Sequence, residues 1–123
     1  MGKLSRNKGK AYENHVAQAF RQIGFAEAKR HLEYQADEAP SSRDLDGTQP
    51  FAVQIKCWRR TPTLSALEEI QPDAGYPVRM AVLKRTRNAA SATLEVAVVD
   101  FDVMLKILRL LKQHNLLDEL VGG

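Results

Sequence analysis

Two acids and a polar pair stand about one hairpin apart in the middle of this chain: Asp44-Leu45-Asp46-Gly47, then Gln54-Ile55-Lys56 within Phe51–Trp58. Side chains alternate across a strand, so Gln54 and Lys56 share one face while Val53, Ile55 and Cys57 share the other. A polar pair in such company is costly to bury unless it is solvated or used. Asp44 and Asp46 also face one way from a neighbouring strand, and the ten residues from Asp44 to Gln54 suffice for a hairpin that sets the two side by side. Carboxylate and amide oxygens gathered in this way suit a hard cation such as Mg²⁺. A lysine beside them can orient a water or offset charge on a phosphate. Read from alternation alone, the same pair is the solvent face of a half-buried strand, which is the commoner reason for such a pattern.

The elements around this pattern follow from periodicity. From Asn7 to Ile23 the apolar residues Tyr12, Val16, Ala19, Phe20 and Ile23 make one helical stripe, with Ser5 or Asn7 as cap and Gly24 as stop. Glu13 falls with Ala17 and Phe20 at the edge of that stripe, which aims it along a sheet face rather than straight into water. Phe25–Tyr34 reads as a strand, 35–42 as a loop around Pro40, and Arg43–Asp46 as a short strand before the turn Gly47–Pro50. Phe51–Trp58 is the clearest strand. Thr61–Ile70 reads as a short helix, Val78–Lys84 and Leu94–Val99 as strands. Asp100 is expected to cap a last helix reaching about Asn115, with Phe101, Met104, Leu105, Leu108 and Leu111 on its buried face. Ile107 and Leu110 widen its apolar surface enough that a dimer face is the other reading. The order α-β-β-β-α-β-β-α, without a regular βαβ repeat, predicts an α/β fold with a mixed central sheet flanked by helices.

The chain has 123 residues, so a single domain over 1–123 is expected, with 1–6 a flexible basic lead and 116–123 a tail. Hydrophobic residues at 44% and charged residues at 27% are close to globular averages, which disfavours disordered and fibrous readings. No apolar run approaches the roughly 18–20 residues of a membrane span, and the basic N-terminus has no apolar stretch behind it, so a cytoplasmic protein is expected. Cys57 is the one cysteine, which leaves no intramolecular disulfide, and His15, His31 and His114 share no metal-site spacing and read as surface or boundary residues. Trp58 is expected to pack in the core, base stacking being the alternative. The net charge is only +3, but the basic residues cluster: Lys3, Arg6, Lys8 and Lys10; Lys56, Arg59 and Arg60; Lys84, Arg85 and Arg87. Such clusters can neutralise phosphates, and they are also what ordinary solvated faces carry.

Glu13 in NKGKAYE on a first helix, then RDLDG, then VQIKCW, resembles the PD-(D/E)XK nuclease superfamily. The likeness is strongest to the small archaeal-type Holliday junction resolvases and their phage relatives, and it runs from about Ser5 to Val99. It implies a restriction-endonuclease-like core and a metal-dependent, structure-selective DNA endonuclease that hydrolyses phosphodiester bonds at four-way junctions. The helix acid then falls on Glu13, the motif Asp on Asp44, the acidic position of the last motif on Gln54 and its lysine on Lys56. Mg²⁺, with Mn²⁺ as a substitute, would be held by Asp44, Gln54, the backbone carbonyl of Ile55 and Glu13 through water, with Lys56 positioning the attacking water. Arg43 stands where the family usually has Pro, and Gln54 where Asp or Glu is usual. Gln keeps a carbonyl oxygen but carries no charge, and Asp46 is a second-rank candidate to restore it. Gln-x-Lys also resembles the Mrr-type restriction nucleases. The resemblance implies DNA as partner, contacted by Lys3, Arg6, Lys8, Lys10, Ser42, Arg43, Arg59, Arg60, Lys84 and Arg85, a homodimer, and a bacterial, archaeal or phage-infected cell. A restriction-type or general endonuclease, or a catalytically weak DNA-binding module, is the alternative.

Overall fold

The computed structural model describes residues 3–32, 43–58, 63–85 and 93–122. In chain order these form α1 (Lys3–Gln22), β1 (Lys29–Arg30), β2 (Leu45–Asp46), β3 (Phe51–Trp58), α2 (Thr63–Glu68), β4 (Val78–Arg85), β5 (Leu94–Val99), α3 (Phe101–Gln113) and a 3₁₀ turn (Leu117–Leu120). This is a mixed α/β fold with the element order expected from periodicity. None of its helices, among the described residues, is long and apolar enough to cross a membrane.

Helix α1 begins at Lys3, so Ser5 and Asn7 lie within its span rather than before it. Lys, Arg and Ser cost little in a helix, and the apolar stripe that marks it in sequence starts only once it reaches the core. It ends as expected. Gly24 has φ +120°, the Phe25 amide donates to the Phe20 carbonyl (3.0 Å) and the Gly24 amide to that of Arg21 (3.2 Å). These are the two bonds of a Schellman stop, and the Phe20 and Phe25 rings meet edge-on at 5.3 Å across it. The stop consumes the first residues of the strand expected at 25–34, leaving β1 only Lys29–Arg30.

Strands β3, β4 and β5 form one sheet in that order. β3 runs parallel to β4, from Phe51 beside Val78 to Trp58 beside Arg85, and β4 runs antiparallel to β5. β1 and β2 make a separate antiparallel ribbon, pairing Lys29 with Asp46 and Arg30 with Leu45. The Asp44 amide donates to the Val53 carbonyl at 2.7 Å, tying the ribbon to the outer side of β3. What was expected as one central sheet is therefore a three-stranded sheet with a ribbon laced to its edge.

Two apolar layers follow from the alternation of β3. Val53 and Ile55 join Tyr12, Val16 and Ala17 of α1, together with Leu45. Ala52 joins Ala66, Leu67 and Ile70 of α2 and its end, with Tyr76, Ala81 and Leu83. Leu45 is fully buried, which stabilises the fold by roughly 1.5–3 kcal/mol. Its burial on the α1 side turns its neighbours Asp44 and Asp46 to the α2 side, the side of Gln54 and Lys56.

Two expectations for α3 fail. Asp100 makes no side-chain cap; its carboxylate instead takes two 2.8 Å hydrogen bonds from Arg79 of β4. Phe101, Met104, Leu105 and Leu108 are exposed, while Val103, Ile107 and Leu111 are partly buried. α3 is apolar around more than half its circumference, so periodicity cannot choose which arc meets the protein. The Arg79–Asp100 pair at its N-terminus helps to fix the rotation.

Candidate active site

Asp44 reaches across β3 on both sides of Gln54. Its amide donates to the Val53 carbonyl, and its Oδ2 accepts the Ile55 amide at 2.8 Å. The amide and carbonyl of one strand residue point the same way, so the Ile55 carbonyl also faces this edge, away from β4. Gln54 Oε1 is buried without a hydrogen-bond partner. A buried carbonyl left unpaired costs on the order of 1–3 kcal/mol, and such atoms call for a reason in function or in a bound group. Lys56, next on the same face, has Nζ 3.4 Å from Oε2 of Glu69, just beyond α2.

The remaining residues of RDLDG are locked by partners far away in sequence. His31 lies across the ribbon from Asp44, its amide donating to the Asp44 carbonyl at 2.8 Å. Its side chain is only 6% exposed, and Nδ1 sits 2.9 and 3.1 Å from the two Asp46 carboxylate oxygens. Arg43 binds the same carboxylate (3.1 Å) and Asp73 (3.0 Å), with its guanidinium 4.0 Å over the Tyr76 ring. Gly47 has φ +77°, and its amide donates to the Tyr76 hydroxyl at 3.1 Å. A Cβ at Gly47 would overlap the Glu27 carbonyl, so only glycine lets the turn pass here. Asp46 is thus engaged in a brace around the motif, and Arg43 is part of that brace.

Glu13 is held elsewhere. Arg30 donates from Nε to its Oε1 at 2.9 Å, and ribbon alternation puts Arg30 with Leu45 on the α1 side. Strand alternation places Asp44, Gln54 and Lys56 on the α2 side. Glu13 thus pairs with Arg30 across from that side, on the α1 face.

The basic residues separate as well. Lys10 is exposed on α1. Lys84 and Arg85 are neighbours in a strand and point to opposite faces. Lys84 lies with its Nζ 5.2 Å over the Tyr12 ring, whose hydroxyl donates to Glu95 at 2.9 Å. Burial, together with the Glu95 carboxylate, pushes the Tyr12 hydroxyl well above its usual pKa. His15 stacks on the same ring at 6.0 Å. Ser42, Arg59 and Arg60 lie outside the described residues, as do the side chains of Lys3, Arg6, Lys8 and Trp58.

Sequence reasoning named Asp44, Gln54, Ile55 and Lys56, and passed over His31, Asp73, Tyr76, Glu69 and Arg30, which the structure sets around them or around Glu13. No local pattern marks those five, because each reaches its partner through tertiary folding. Gly47 was read only as part of a turn; its close approach to the Glu27 carbonyl comes from the tertiary structure. Among the described residues no three His, Cys, Asp or Glu side chains gather as a metal cluster; the candidate oxygens are a carboxylate, an amide and a main-chain carbonyl. No family model, curated protein or solved structure matches this chain.

Proposed function

We propose that this chain is a metal-dependent, structure-selective DNA endonuclease with a restriction-endonuclease-like core, acting as a Holliday junction resolvase. The observation that carries this reading is the orphaned Gln54 Oε1 beside an Asp44 carboxylate anchored to the Ile55 amide. Three oxygens of different origin, all hard donors, fit Mg²⁺ or Mn²⁺. Asp44, Gln54 and the Ile55 carbonyl would hold the cation, with Glu13 acting through water. When bound, such a cation stabilises charge on the scissile phosphate and lowers the pKa of an attacking water.

The chain's own residues have distinct tasks. Asp44 supplies a formal negative charge on this edge, and its bond to the Ile55 amide keeps the carboxylate oriented. Gln54 adds an oxygen without charge, which predicts weaker Mg²⁺ binding than a glutamate would give. Lys56 orients the water and offsets phosphate charge; its partner Glu69 is exposed, and a surface pair of this kind is worth ~0–1 kcal/mol, so it yields readily to a substrate. Paired nicks across a junction call for two sites related by a two-fold axis, so a homodimer belongs to the proposal.

The test uses labelled four-way junction and matching linear duplex in Mg²⁺, Mn²⁺ and EDTA, with Lys56→Ala alongside. Paired nicks in the junction alone, lost in EDTA and in Lys56→Ala, are expected. Equal cutting of duplex would replace the resolvase by a restriction-type or general nuclease. Tight binding without cutting in either metal would leave a DNA-binding module.

A further inference from the structure

Asp44 and Lys56 carry opposite charges, while Gln54 and the Ile55 carbonyl are neutral, so these four groups sum to zero. Oxygen sites hold divalent cations more tightly as the charge of their ligands grows. The pull of Asp44 is therefore cancelled by Lys56 unless a second carboxylate stands close. Several neighbouring acids are engaged elsewhere. Glu13 takes Arg30, Asp46 takes His31 and Arg43, and Asp73 takes Arg43. Glu68 contributes to the field at Arg79. Glu69 differs, because its Oε2 lies 3.4 Å from Nζ of Lys56, a residue of the site itself.

The fold fixes that placement. The Glu69 amide donates to the Ser65 carbonyl at 3.0 Å, one last helical bond just beyond α2. On either side of it Leu67 and Ile70 are buried in one cluster with Ala52 of β3. Those two anchors pin the backbone of Glu69 against the strand that carries Gln54 and Lys56. Its side chain stays 54% exposed, so the carboxylate turns without disturbing the core.

We propose that Glu69 is the second carboxylate of this site, holding a water of the bound divalent cation from the end of α2 and supplying the charge that Gln54 lacks. With Glu69 counted, the site carries one net negative charge. The inference rests on the metal-site reading above and adds a residue to it.

The experiment is calorimetric titration of the full chain with Mn²⁺, without DNA, circular dichroism confirming that each variant keeps the fold. Wild type should bind, and Asp44→Asn should abolish binding. Glu69→Gln should raise the Kd by about tenfold, whereas Glu68→Gln, the same loss of charge one residue away, should change it by less than about twofold. Moving the charge, by Gln54→Glu together with Glu69→Gln, should restore tight binding. Were Glu69 only the partner of Lys56, Glu69→Gln would alter stability and leave the Kd where Glu68→Gln leaves it. That result, beside a wild type that binds and an Asp44→Asn that does not, overturns the role of Glu69 while the metal site stands. A wild type that binds no Mn²⁺, or binds it no better than Asp44→Asn, overturns the site itself and this inference with it.

Discussion

Replacing Gln54 by Met separates what the site does from what the fold needs. In the wild type, Oε1 is buried and unpaired, and a group of that kind costs about 1–3 kcal/mol. Methionine has similar length, is unbranched and fits irregular space, so the orphan disappears with little change in packing. Some of that gain is offset by whatever the amide nitrogen contributes. The expected outcome is a variant more stable by about 1 kcal/mol, or a Tm raised by about 3–5 °C for a chain of this length. The same variant should lose metal-dependent cleavage. It should also lose its thermal response to Mg²⁺, which in the wild type adds about 1.4 kcal/mol at ten times the Kd. Thermal and urea unfolding, each with and without Mg²⁺, read both effects. Destabilisation by more than about 1 kcal/mol would mean that the carbonyl has a stabilising partner. Stabilisation with undiminished cleavage would remove Gln54 from the site.

Three other perturbations follow from named contacts. Gln54→Glu places a second carboxylate beside Asp44, so the metal-free variant should be less stable near neutral pH and its cleavage should saturate at lower Mg²⁺; unchanged metal dependence would mean that Gln54 is not a ligand. Gly47→Ala forces a Cβ into the Glu27 carbonyl at positive φ, and should destabilise by ~3 kcal/mol or more; urea unfolding within about 1 kcal/mol of wild type would show that the turn can relax. The hydrogen bonds from Arg79 hold the Asp100 carboxyl below its usual pKa, so this pair stabilises above the unfolded carboxyl value of about 3.9 and its contribution fades as pH falls through the lower folded value. Asp100→Asn should therefore be less stable than wild type by up to ~1 kcal/mol at neutral pH, and the gap should close in acid; a gap independent of pH would remove the ion pair as its cause.

The elements that the sequence determined by itself are those whose cause lies within a few residues. Strand β3 was legible over its full length because Val53, Ile55 and Cys57 alternate with Gln54 and Lys56, and that period survives any packing. Gly24 marked the end of α1 because a positive φ there is a local demand. The order of elements, and the placing of Asp44 beside Gln54, followed from the length of one hairpin. Tertiary structure decided the rest. Arg30 on Glu13, His31 and Arg43 on Asp46, and Arg79 on Asp100 join residues that no local pattern links. Each charged group takes the partner that folding brings within reach, and of these side chains only His31 is deeply buried. The same holds for α3. Its sequence specifies an apolar surface wider than one neighbour can cover, and only its anchoring beside β4 shows that Phe101, Met104, Leu105 and Leu108 face outward, because periodicity defines a helix's stripes but not which of two stripes the rest of the chain will occupy.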